Sequence, residues 1–180
     1  MTTLTATLAA PTVTVQASYL AAVVEYQGEG HYTDLDVHLL ADPDAFAAHV
    51  AALAAKALPQ TPRPVGIVPE TMLWWVDGAE FLGRISIRHQ LTEALRQLGG
   101  HIGYDVRPTA RRRGHATAML RAALPVAARI GIDPALVTCG VDNVASRRVI
   151  EANGGTPDAA GGEKLRFWVP TTRSRGGTLP

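Results

Sequence analysis

The tightest constraint in the chain is a joint in its second half. A strand-like run, His101 to Val106, leads through Arg107-Pro108 into Arg111-Arg112-Arg113-Gly114-His115-Ala116-Thr117, and a helix from about Gly114 to Ile130 follows. Ala116, Met119, Leu120, Ala123, Ala127 and Ile130 share one face of that helix. Pro125 inside it predicts a kink. Gly114 removes a side chain at the joint and Ala116 keeps the next inward position small. The first amides of a helix lack intrahelical partners, so an anion can satisfy both them and the helix dipole. Arg111, Arg112 and Arg113 add positive charge at the rim. The plainer alternative is a solvated basic loop whose glycine makes a turn. Its place between strand and helix favours the anion-binding reading.

The remaining elements follow from pattern. Val13 to Gln16 reads as a first strand, Ser18 to Tyr26 as a short helix, and Asp42-Pro43-Asp44 opens a helix to about Leu58. Residues 57–69 hold four prolines and form a semi-extended loop. Thr71 to Val76 and Glu80 to Arg88 read as strands joined at Asp77-Gly78, a hairpin-turn signal. A short helix over Thr92 to Leu98 ends at Gly99-Gly100. Beyond the long helix come a strand over Ala135 to Val141, a helix over Asn143 to Ala152 and a strand over Lys164 to Val169. The class is α+β, or mixed α/β, without internal repeats. Residues 1–169 read as a single domain and 170–180 as a disordered tail.

Composition removes several function classes. Seventeen basic and sixteen acidic residues nearly cancel, so no global field draws nucleic acid or an anionic membrane. The arginine clusters at 111–113 and 147–148 lack the interleaved aromatics of a nucleic-acid surface. Cys139 is alone, which excludes a disulfide framework and a cysteine metal site. Met1 to Pro11 carries no Lys or Arg, and no run of eighteen apolar residues exists, so the expected compartment is the cytoplasm and no membrane span is expected.

The chain resembles the GNAT superfamily of N-acetyltransferases. The likeness rests on Ile102-Gly103-Tyr104-Asp105-Val106, Arg107-Pro108 and Arg111-X-X-Gly114-X-Ala116, then on Val137-Thr138-Cys139 and Asp142-Asn143-X-X-Ser146-X-X-X-Ile150-Glu151-X-X-Gly154. It is most similar to uncharacterised GNAT proteins with a strand like Phe81 to His89 followed by Gly-Gly-His-Ile-Gly-Tyr, and it covers roughly residues 17–169. The resemblance implies a central twisted, mostly antiparallel sheet flanked by helices, with acetyl-CoA as acyl donor and no metal. It implies that pantetheine pairs with Tyr104, Asp105 and Val106, that the pyrophosphate lies on Arg111, Arg112, Arg113, Gly114, His115, Ala116 and Thr117, and that Asn143 touches the cofactor arm. It allows a homodimer paired through the C-terminal strands. Asn143 is equally a good helix N-cap. Many family members place a Tyr seven residues after this Asn as general acid; here Ile150 stands there.

Direct transfer to an amine needs a route for the amine's proton. His101 and His89 are candidate bases, with structural hydrogen bonding as the alternative for His101. Arg84 and Arg88 alternate on one strand and are candidates to hold a substrate carboxylate. His31, Asp34, Asp36 and His38 cluster without any established metal-ligand spacing, so no metal site is expected, although they could line the acceptor pocket. Trp74 and Trp75 point to opposite faces, one into the core and the other toward the acceptor site or an interface. Cys139 reads as a buried strand cysteine. Two readings of function remain: an enzyme acetylating a small-molecule or peptide amine, and a CoA-binding GNAT fold that senses without turnover.

Overall fold

The computed structural model describes residues 5–158 and 162–172. Among these, the strands are β1 (Thr7–Ala9), β2 (Glu70–Asp77), β3 (Glu80–Arg88), β4 (Ile102–Val106), β5 (Ala135–Gly140), β6 (Thr156–Pro157) and β7 (Lys164–Val169). They form one sheet in the order β1-β2-β3-β4-β5-β7-β6. Every neighbouring pair is antiparallel except β4 and β5. The expected α+β class with a mostly antiparallel sheet is the one observed.

Helices cover both faces. α1 (Gln16–Gly28) and α2 (Pro43–Ala55) close an aromatic core over β2 and β3, in which Tyr19 stacks on Trp74 at 4.8 Å and Phe81 meets Trp74 edge-on at 5.4 Å. α3 (His115–Arg129) and α4 (Val144–Glu151) close an aliphatic core with Ile85, Ile87, Ile102, Val137 and Phe167. Trp74 and Trp75 are both buried, so Trp75 walls neither an acceptor site nor an interface. The two do face opposite ways, one into each core, as the twofold pleat requires.

Two elements differ from expectation at the N-terminal end. Val13–Val15 is a 3-10 turn rather than a strand. Thr12 caps it by accepting the amide of Thr14, and Val15 is driven into the aromatic core, so the alternating valines served a helix entry. The edge strand is Thr7–Ala9, paired with Trp74 to Val76. The expected helix over Thr92 to Leu98 is wound as a π-helix from Leu95 to Gly99, with the Gly100 amide on the Leu95 carbonyl. α3 continues through Pro125, which sits on the exposed side where the missing amide bond meets solvent.

Of the expected tail, residues 173–180 lie outside the described residues. Thr171 is buried and bonds Ile132 and Asp133, so the chain is anchored at least that far. No helix among the described residues is long and apolar enough to cross a membrane.

Candidate functional site

The site begins where the sheet fails to close. β4 and β5 share a single parallel bridge, Ile102 to Val137, and diverge beyond it. A cleft of about 720 Å³ fills the divergence. Tyr104, Asp105 and Val106 form one wall, and Asn143, Ser146 and Val149 along α4 form the other. Gly83 on β3 keeps β4 close at this level, since a Cβ there would lie 2.5 Å from the Asp105 carbonyl.

The floor is the joint that the sequence singled out. Arg112 and Gly114 both adopt positive φ, 63° and 84°, and these two left-handed steps turn the chain into α3. Gly114 is the N-cap and offers no side chain, so the first-turn amides of α3 are uncapped beside the cleft. Ala116 and Thr117 also line it. His115 is held by the buried indole of Trp75, whose Nε1 donates to its Nδ1 at 3.1 Å. An indole only donates, so this ring nitrogen is an acceptor and the imidazole is neutral. Burial pushes the His115 pKa down, and the Arg113 charge pushes it the same way.

The three arginines separate. Arg111 is engaged: its two terminal nitrogens meet the Glu29 carboxylate at 2.7 Å each, and its Nε reaches the Val106 carbonyl. Arg112 lines the cleft without an ion pair among the described residues, and Arg113 lies outside the lining. One turn earlier, on α1, Glu25 binds Arg107 and both the amide and hydroxyl of Thr109. Burial opposes ionisation of Glu25, but these hydrogen bonds win and hold its carboxyl below the usual range.

The Tyr104 hydroxyl crosses the cleft to the Ser146 hydroxyl at 2.7 Å. Burial pushes the phenol up to about 12, with the Ser146 hydrogen bond working against it, so it stays protonated at neutral pH. Ser146 also receives the Asn143 cap on its amide, 3.0 Å from Oδ1, so Asn143 caps α4 and lines the cleft at once. Ile150 is wholly buried in the aliphatic core. At the mouth, Asp105 accepts a hydrogen bond from the Tyr32 hydroxyl and faces Arg84 Nε at 3.5 Å. Arg84 lies over the Tyr32 ring, 4.2 Å from its centroid. Tyr32 itself holds a positive φ of 53°, and Gln27 fixes its loop by donating to the Tyr32 and Leu35 carbonyls.

The remaining candidates lie elsewhere. His101 precedes β4 at its closed end, where its Nδ1 accepts the Leu136 amide at 2.9 Å. His89 follows β3 at that same end and shares a 2.8 Å hydrogen bond with Thr71. Burial lowers both pKa values, first and foremost. Neither lines the cleft. Arg88 bonds the carbonyls of Gly99 and Gly100, apart from Arg84. Asp36 spends its carboxylate on the amides of His38 and Leu39, and no group of three metal-type ligands converges among the described residues. Cys139 is buried on β5, and burial pushes its thiol up. His31, from the polar cluster, lines the cleft, whereas Glu29, Tyr32 and Ser146 went unselected in the sequence. Only Ser146 carried a local signal, three residues after the capping Asn143.

Known proteins share this architecture. RimJ of Mycobacterium smegmatis, solved with CoA-disulfide, superposes with a TM-score of 0.63 at 19% identity, covering 91% of this chain and 80% of that one. The microcin C7 self-immunity acetyltransferase MccE, in complex with acetyl-CoA and AMP, gives 0.61 at 13% identity, covering 91% and 90%. RimL, a ribosomal L7/L12 alpha-N-protein acetyltransferase solved with coenzyme A, gives 0.60 at 18%, covering 92% and 93%. No curated protein sequence matches the chain. The family model described as "Acetyltransferase (GNAT) domain" matches residues 22–156, from within α1 to the start of β6, and the chain belongs to that family.

Proposed function

We propose that this protein transfers an acetyl group from acetyl-CoA to an amine, with the cofactor lying in the cleft between β4 and β5. The observation that carries the reading is the uncapped, side-chain-free start of α3 at the floor of a cleft large enough for an extended cofactor. Residues 112–117 would hold the pyrophosphate, with Arg112 supplying charge and Arg111 bracing the loop through Glu29. Tyr104, Asp105 and Val106 would pair with the pantetheine arm, and Asn143 would border it. The complexes of MccE and RimL with acetyl-CoA or CoA support a cofactor of this kind.

The amine nitrogen attacks the thioester carbonyl carbon, the carbon–sulfur bond breaks, and CoA departs as its thiolate. Asp105, at the mouth and held by Tyr32 and Arg84, attracts the incoming ammonium and takes the proton that it sheds. The Tyr104–Ser146 hydroxyl pair faces the cleft and can protonate the thiolate, which fills the place left by Ile150. That pair weighs against the sensor reading. The acceptor includes protein amines within its scope, since RimL is an alpha-N-protein acetyltransferase.

The test joins two measurements on the whole protein. Calorimetry should show acetyl-CoA binding, and a CoA-release assay across amines and N-terminal peptides should show turnover. Tight binding with no release on any amine would establish the sensor instead.

A further inference from the structure

Three arginines lie in the sheet: Arg84 and Arg88 on β3 and Arg166 on β7. Two meet carboxylates, Arg84 with Asp105 and Arg166 with Asp158 at 3.2 Å. Arg88 differs. It is half-buried, and among the described residues no carboxylate lies within ion-pair distance of it. Its Nη1 donates to the Gly99 and Gly100 carbonyls at 3.0 and 3.2 Å, which fixes the guanidinium plane without neutralising the charge. A partly desolvated cation held in one orientation is matched best by an anion with two oxygens.

A second polar group stands beside it. Nη2 lies over Gly103, 3.6 Å from where a Cβ would stand, and the Ser86 hydroxyl lies 3.8 Å from the same point. Neither Nη2 nor the Ser86 hydroxyl has a hydrogen-bond partner among the described residues. Strand register sets Ser86 beside Gly103 and Arg84 beside Asp105, so guanidinium, hydroxyl and carboxylate share one face of β3 and β4. That face is opposite the one on which Tyr104 meets α4.

We propose that Arg88 and Ser86 form an acceptor subsite for a carboxylate, so that the substrate is an amine bearing an anionic group. This rests on the acetyl-transfer reading and deepens it. The amine lies toward Asp105 and the carboxylate toward Arg88. Gly103 and Asp105 are two residues apart on one strand, about 7 Å, so amine and carboxylate are separated by a similar span. A free amino acid of the γ-amino type and a peptide N-terminus with an acidic residue both offer that chemistry.

Matched acceptor pairs test it: 4-aminobutyrate against 4-aminobutanamide, and the C-terminally amidated peptide Ser-Asp-Ala-NH2 against Ser-Asn-Ala-NH2. Wild type should favour the carboxylate member of at least one pair by roughly tenfold or more in kcat/KM, and the pair that responds identifies the source. R88Q should erase that preference by lowering kcat/KM for the carboxylate member far more than for the amide member, with the acetyl-CoA Kd unchanged. R88K, which retains charge without the fork, should keep part of it. A merely structural Arg88 would instead lower both members alike and shift the melting temperature, and that result overturns the subsite. Equal use of both members by wild type also overturns it and leaves acetyl transfer intact. Acetyl-CoA binding with no transfer to any amine overturns both.

Discussion

The two ends of β4 do opposite work. At its start the strand is fastened to β5 twice over: the His101 amide donates to the Leu136 carbonyl, and the His101 ring accepts the Leu136 amide. At its end the same strand has no partner on that side, and Tyr104 reaches across open space to Ser146. The lesson concerns how polar residues are spent. Polar groups at the closed end satisfy backbone and set register, whereas those at the open end face a volume that a ligand must fill.

The largest expected effect breaks the open end. Gly114→Asp sets a carboxylate at the uncapped start of α3, in a backbone conformation with φ of 84°, and should abolish the thermal stabilisation given by acetyl-CoA. A variant that melts normally and still gains stability from acetyl-CoA would remove the loop from the site. Next, Tyr104→Phe should lower kcat by roughly a hundredfold with little change in the KM for acetyl-CoA. An unaltered kcat would show that the thiolate leaves without help from this pair.

The His101 clasp at the closed end should respond in stability and not in turnover. His101→Ala strands the Leu136 amide and should cost about 1–3 kcal/mol in denaturant unfolding, with kcat per folded molecule unchanged. A selective loss of kcat would restore His101 as a base. The smallest effect is on pH. His101 titrates below its ordinary value in the folded protein, chiefly through burial. As pH falls, the unfolded chain therefore takes up the proton first, and stability drops once the pH passes below about 6.5. Melting curves between pH 8 and 5 should show that decline, and it should be shallower in His101→Ala because His115 and His89 still contribute.

Much of this contrast could not be read from the chain. Apolar pattern, caps and turn residues together located β2 to β5 and α1 to α4, and the Asp77-Gly78 turn pairs Asp77 with Glu80 as expected. Thr7–Ala9 and Thr156–Pro157 are too short for any pattern to mark them. The loop at 111–117 was legible since glycine, charge and helix start coincide within seven residues. The partners of that loop were not: Glu29 and Arg111 are 82 residues apart, and Tyr32 and Asp105 are 73 apart. Such pairs depend on where α1 ends over the sheet, which no local signal encodes. His101 and His89 drew attention by residue type and by their places at strand ends, and neither signal distinguishes a clasp from a base.

The pair of acidic residues on α1 has a bearing on how this protein can be re-engineered. Glu25 and Glu29 grip the segment from Arg107 to Arg111 at two successive turns, through charge-assisted bonds as short as 2.7 Å. RRRGHAT is therefore no cassette. Moved together with Arg107 into a related scaffold without its helix, it would arrive with two guanidiniums parted from Glu25 and Glu29. A foreign loop set here would strand two carboxylates in turn. Chimeras ought to exchange residues 16–32 and 102–117 together, because inheritance at this site runs through both segments at once.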